Sequence, residues 1–138
     1  MSIQNCTGLS GTIDLTSLEN ITSVDASGTT VNISIPENSD IIKYELGTPT
    51  TISIKNPVSL AVANTKVDNS SNLTSVELVN IADNKSYSMF GKIVTNSSPI
   101  TSLKIHQSNT AELTTSPTID LLYKIALNAS NVSLRGYL

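Results

Sequence analysis

Three heptads in this chain are near-copies of one another: Asn20-Ile-Thr-Ser-Val-Asp-Ala26, Asn72-Leu-Thr-Ser-Val-Glu-Leu78 and Pro99-Ile-Thr-Ser-Leu-Lys-Ile105. Each runs apolar, Thr-Ser, apolar, charged, apolar. Looser versions are Ser10-Gly-Thr-Ile-Asp-Leu15, Ile41-Ile-Lys-Tyr-Glu-Leu46 and Ala129-Ser-Asn-Val-Ser-Leu134. The common pattern is apolar at i, i+3 and i+5. With 38% apolar residues, roughly seven or eight such triads arise by chance in a chain of this length, so periodicity alone decides little. The shared pairs Thr22-Ser23, Thr74-Ser75 and Thr101-Ser102 are what make the series a repeat. Starts at residues 21, 41, 73, 100 and 129 lie 20, 32, 27 and 29 residues apart, the length of one solenoid coil. A coil too small to bury its own apolar face must stack on neighbours, so the repeat points to one core shared between coils.

These residues resemble the strand segment of the leucine-rich repeat family, L-x-x-L-x-L-x-x-N. Leu73, Val76 and Leu78 match its first three apolar positions, as do Ile100, Leu103 and Ile105, and Ile21, Val24 and Ala26. The stretch from Leu9 to Leu18 reads like the beginning of such an array. The family's Asn position, eight residues after the first Leu, holds Thr29, Pro49, Ile81, Ser108 and Tyr137 here. The buried Asn ladder that joins coils in that family is therefore missing. The resemblance implies a degenerate solenoid over residues 9–138, close to the irregular arrays of bacterial and phage proteins.

Between the repeats, Thr30-Val-Asn-Ile-Ser-Ile35 and Thr51-Ile-Ser-Ile54 alternate apolar and polar residues, so the first coils return by a second strand, ended by Pro36 and Pro57. Later coils read differently. Ser116-Pro117 is an N-cap followed by Pro at the first helical position, and Ile119, Leu122, Tyr123 and Ala126 follow at helical spacing. A helix near 117–128 is predicted there. A shorter one at 86–94 would turn Met89, Phe90, Ile93 and Val94 inward. The expected fold is mainly β: one repeat domain over 1–138, with residues 1–20 as N-terminal cap and about five irregular leucine-rich-repeat-like coils in 21–138. A β-sandwich with one C-terminal helix is the alternative.

Composition narrows the function. Aromatics are 4% and Trp is absent, so the core is built of Ile, Leu and Val. Charged residues are only 14%, and the net charge is −3. Arg135 and seven scattered Lys form no basic run, and no aromatics interleave to stack bases, which argues against nucleic acid. Cys6 is the only cysteine, so no intrachain disulfide exists, and it is expected as a small buried residue of the capping coil. MSIQNCTGLSG has neither the basic nor the apolar region of a secretory signal, and no apolar run could span a bilayer. Synthesis in the cytoplasm and no membrane insertion are expected. Asn-x-Ser/Thr triplets are frequent, as any chain this rich in Asn, Ser and Thr would show.

No motif signals a cofactor, a metal site or catalysis. His106, the single histidine, lacks a nucleophile context and is expected at the solvated surface. Asp25, Glu45 and Glu77 share the position between the second and third apolar residues, and Lys104 and Ser133 continue it. On stacked strands they would form one row, with neighbouring carboxylates about 5 Å apart, close enough for a retaining glycosidase pair. Such chemistry also needs a cleft and sugar-stacking aromatics. The row, with Tyr44, is instead expected to be a concave partner-binding face. A second contact is expected at the last coil, through Val132, Leu134, Tyr137 and Leu138. The reading is of a non-enzymatic structural protein, part of a bacteriophage particle as a decoration, tail or fibre-associated component, bound to other chains including copies of itself. The alternative is an adhesin or host-recognition module at the bacterial cell surface.

Overall fold

The computed structural model describes residues 1–37, 39, 41–55, 65–81, 85–107 and 116–135. Its strands are β1 (Thr12–Asp14), β2 (Ser23–Ala26), β3 (Asn32–Ser34), β4 (Lys43–Leu46), β5 (Thr51–Lys55), β6 (Thr65–Val67), β7 (Ser75–Ile81), β8 (Ser102–Gln107) and β9 (Asn131–Arg135). Helix α1 (Lys85–Ile93) lies between β7 and β8, and α2 (Ser116–Asn128) between β8 and β9. All named strand pairs are parallel. The sheets are β1-β3, β2-β4-β6 and β5-β7-β8-β9. Parallel pairing of strands about one coil apart is the ladder of a β-solenoid.

The solenoid has two walls. One stacks β2, β4 and β6 and continues into α1, which packs on β6 and then on α2. The other stacks β1 on β3, and β5 on β7, β8 and β9, with β3 and β5 tied by a side chain: Asn32 Oδ1 accepts the Thr50 and Thr51 amides at 2.9 and 3.1 Å. Coil length explains why the first wall turns helical. Partners are 20 residues apart in β2–β4 (Val24 and Tyr44) but 27 in β7–β8 (Val76 and Leu103) and 29 in β8–β9 (Leu103 and Val132). Nine helical residues rise about 13 Å, the span of only four in a strand, so longer coils absorb their extra residues as helix. Helices pack about 8–10 Å apart but strands about 4.8 Å. The helical wall is therefore the longer one, and β7–β9 lies on the inside of the bend.

Inside, strand alternation sets apolar residues in rows: Ile52–Val76–Leu103–Val132 and Ile54–Leu78–Ile105–Leu134 on one wall, Ala26–Leu46–Val67 on the other. Val24, Leu46, Ile54, Leu78 and Ile105 are fully buried. Met89, Phe90 and Ile93 of the short helix, and Val94 directly after it, are all buried as the spacing predicts. In α2 the inward residues are Leu122 and Ile125, whereas Tyr123 points out, 67% exposed. The buried stripe thus shares Leu122 with the predicted face but continues to Ile125, and α2 packs on α1.

The corners hold the coils in register. The carbonyl of Thr50 accepts the Thr74 amide (2.8 Å), the Ser75 amide (3.3 Å) and the Thr74 hydroxyl (3.1 Å). The Thr74 carbonyl accepts the corresponding Thr101 and Ser102 groups, and the Thr101 carbonyl those of Ser130 and Asn131. This hydroxyl ladder joins the coils one residue after the first apolar position of the repeat, and it accounts for the pairs Thr74-Ser75 and Thr101-Ser102. At the opposite corner Thr29 is buried, and a Cβ on Gly47 would overlap its carbonyl oxygen and amide nitrogen.

Three sequence expectations change. The continuous sheet passes through about three turns, fewer than five coils. Motifs at Ile21 and Ile41 lead into β2 and β4, whereas those at Leu73, Ile100 and Ala129 lead into β7, β8 and β9, on the other wall. The gap of 32 residues between starts 41 and 73 is one coil plus the step from wall to wall. Cys6 is exposed rather than buried, because the segment bearing it turns outside the β2 edge, with the Ile3 and Asn5 amides donating to Asp25 and Ser27 carbonyls.

Leu78, sealed between Ile54 and Ile105, is the position where register is most directly tested. Leu78→Ala is expected to lower unfolding free energy by about 2–5 kcal/mol in denaturant titration. A loss under about 0.5 kcal/mol, the range of surface substitutions, would refute the stacking described.

Candidate functional site

Outward strand positions form two polar rows, one on each wall. The first is Asp25–Glu45–Lys66 across β2, β4 and β6. Lys43 bridges Asp25 at 3.2 Å and Glu45 at 3.3 Å, and Lys66 reaches Glu45 at 3.4 Å. Asp25 also accepts the Ser27 hydroxyl at 2.7 Å and its amide at 3.2 Å. The Ser27 bonds, foremost, and Lys43 hold the Asp25 carboxyl below its usual range against the opposing effect of burial. The second row is Ser53–Glu77–Lys104–Ser133 across β5, β7, β8 and β9. Glu77 is held by Lys104 at 3.0 Å, Lys55 at 3.6 Å and the Ser53 hydroxyl at 3.2 Å. Partial burial raises its pKa, but these partners together outweigh that and leave it lowered.

The single row expected from the repeat is thus two rows. Asp25 and Glu45 lie together on one wall, Glu77 and Lys104 on the other, and Tyr44 belongs to neither. Its ring is buried in the core, 1% exposed, with its hydroxyl donating to the Ile33 carbonyl at 3.4 Å and its pKa pushed up by burial. Tyr44 follows Val24 in the inward row, so the pleat alone turns it away from a partner. Asp25 itself is 7% exposed, shielded by the side chains that bind it.

His106 also differs from expectation. It occupies an outward position of β8 beside Val79 and Arg135, yet is buried, and its Nε2 lies 2.8 Å from the Ser133 hydroxyl. Desolvation first, then the positive charges of Arg135 and Lys104, lower its pKa despite Glu77 nearby. The neutral ring can therefore accept from Ser133. Sequence reasoning missed this pair, although the 29-residue step that aligns Lys104 with Ser133 also sets His106 beside Arg135.

A depression of about 240 Å³ runs over this wall, lined by Ser75, Glu77, Ser102, Lys104, Asn131 and Ser133. It offers hydroxyls, an amide and a neutralised ion pair on the inside of the bend. A glycosidase acid needs a raised pKa, whereas Asp25 and Glu77 are both lowered. Among the described residues, no three His, Cys, Asp or Glu converge as metal ligands, and no helix is long and apolar enough to cross a membrane.

At the last coil, Val132 is 39% exposed and Leu134 half-buried. They continue the inward rows past Leu103 and Ile105, where β9 is the sheet's outer strand. Tyr137 and Leu138 lie outside the described residues. Two further exposed side chains lie one turn apart on α2: Tyr123, which the helical spacing placed inward, and Leu127, 70% exposed. No protein-family model, curated protein or solved structure matches the chain.

Lowered carboxyl and imidazole pKa values act in the same direction. Between each folded value and its ordinary one the unfolded chain binds more protons, so stability falls with acidification. Stability is expected to be level above the ordinary histidine value of 6.5, to fall as His106 is forced to protonate, and to fall again below about 4.5 as Glu77 and Asp25 are neutralised. His106→Asn should flatten the upper step and leave the lower one. Denaturant midpoints measured from pH 3 to 8 check this, and an unchanged upper step would exclude His106 as its source.

Proposed function

We propose that this protein is a non-catalytic structural and interaction protein that joins a larger assembly by stacking its end coils on other chains, copies of itself included. The observation that carries this is where apolar surface is left. Among the described residues, exposed large apolar side chains gather at the two ends: Met1, Leu9 and Leu18 in the first coil, Tyr123, Leu127 and Val132 in the last, with Ile42 between. A solenoid side wall satisfies its own backbone and side chains, whereas an end coil presents a row of apolar groups and an open strand edge. Apolar ends with polar walls suit a protein that is extended by stacking.

The setting proposed is a bacteriophage particle, in a decoration, tail or fibre-associated position. Its support is compositional: few charges, and strands rich in Ser, Thr and Asn. Kinship with leucine-rich repeats is part of the proposal. The strand-then-helix coils of β7–α1 and β8–α2, and their Thr ladder, support it. The second reading, a surface adhesin or host-recognition module, is favoured by the polar depression over β7–β9.

Light scattering separates these readings. Assembly predicts particles well above the 14.6 kDa of one chain, reduced to monomers by Tyr123→Asp/Leu127→Asp with circular dichroism unchanged. A wild-type chain that stays monomeric at high concentration would overturn the assembly reading and leave the adhesin one.

A further inference from the structure

We infer that the last coil of one copy stacks on the first coil of the next, in register, so that the chain polymerises head to tail. This rests on the assembly reading above and adds the identity and orientation of the partner surface.

Three observations converge on it. The same alternation of inward residues recurs at both ends of one wall. Val132 and Leu134 carry it on β9, and Ile13 of β1 and the adjoining Leu15 carry it in the first coil, the latter's amide donating to the Ser34 carbonyl at 2.8 Å. Placing β1 of a second copy beside β9 in the register of the other strands sets Ile13 beside Val132 and Leu15 beside Leu134. The ends also differ in the charge of their side chains. Residues 1–20 contain Asp14 and Glu19 and no Lys or Arg, whereas residues 116–138 contain Lys124 and Arg135 against Asp120. In the same register Ser133 faces Asp14, and Arg135 lies diagonal to it, within reach of a long side chain. Lastly, the first coil has a depression of about 550 Å³ lined by Met1, Leu18, Glu19 and Ile21. Its lining residues lead into β2, the first strand of the wall that α1 and α2 continue, and Tyr123 and Leu127 are exposed on α2. A helix stacked on strands has a precedent within the chain, since α1 packs on β6.

Such a contact joins two different surfaces, so it does not close on itself as a two-fold dimer does. Because the helical wall is longer than the strand wall, each copy adds a bend, and the product is a ring or helical filament.

The test uses full chains blocked at one end. Asp14→Arg/Leu18→Asp spoils the first coil, and Tyr123→Asp/Leu127→Asp spoils the last. Each variant alone is expected to scatter as a monomer, with a wild-type circular dichroism spectrum showing that it folds. Mixed in equal amounts they retain one intact end of each kind, so the mixture should form one-to-one pairs with twice the scattering mass. Ile42→Asp, mid-wall, should assemble as wild type does. A mixture that stays monomeric overturns head-to-tail stacking. So does a first-coil variant that still dimerises, and that result leaves the assembly reading standing, with last coils facing each other. A monomeric wild-type chain removes both. Should either variant misfold, the milder Glu19→Lys and Arg135→Glu replace them, with at least a five-fold loss of mean scattering mass expected from each and an unchanged mass overturning the inference.

Discussion

The coil-to-coil ladder is the interaction on which everything else in this protein depends. Each strand has too few residues and too narrow an apolar face to be stable alone. Stacked in parallel, the same strand finds backbone partners on both sides and sets its inward residues against like residues above and below. The Thr carbonyls at the corner strengthen this, since each accepts three donors from the next coil: two amides and a hydroxyl. Each such bond contributes only about 0.5–1.5 kcal/mol, but together they exclude register slips that would turn the apolar rows outward. Thr and Ser do here what Asn does in leucine-rich repeats: they carry a side-chain hydrogen bond across the coil boundary.

The same ladder creates the polar rows. Parallel in-register stacking brings equivalent residues within about 5 Å of one another, so like charges at one repeat position would repel. On the first wall Asp25 and Glu45 do stand side by side, and a neighbouring cation offsets the repulsion. Lys43 bridges Asp25 and Glu45, and Lys66 follows Glu45; on the other wall Lys55 and Lys104 bracket Glu77. Asp25 and Glu77 are stabilised as anions, a state suited to surface recognition and ill suited to proton donation. What the walls offer a partner is a pattern of hydroxyls and neutralised pairs, and what the ends offer is apolar surface.

Much of the fold was legible along the chain. The near-identical heptads, the alternating second strands, the short helix with Met89, Phe90, Ile93 and Val94 inward, and the helix opened by Ser116-Pro117 all correspond to observed elements. These depend on local spacing, and spacing is what a sequence displays. A better repeat was also present and less conspicuous. Gly11-Thr-Ile-Asp-Leu15, Val31-Asn-Ile-Ser-Ile35, Thr50-Thr-Ile-Ser-Ile54, Thr74-Ser-Val-Glu-Leu78, Thr101-Ser-Leu-Lys-Ile105 and Ser130-Asn-Val-Ser-Leu134 trace one wall from end to end. Reading them as one series would have separated Glu77 from Asp25 and Glu45.

By itself, then, the sequence determined that this chain repeats, that its coils are strand-based at first and helical later, and, Tyr44 apart, which strand residues face inward. Those outcomes follow from periodicity and propensity, which act over a few residues. Only tertiary structure decided which copies of the motif share a wall, because that depends on how many residues each coil spends crossing over. It also decided that His106 is buried against Ser133, and that Tyr123 and Leu127 project from α2. Identical local patterns fit either outcome, and the choice is made by what stacks next to them in space.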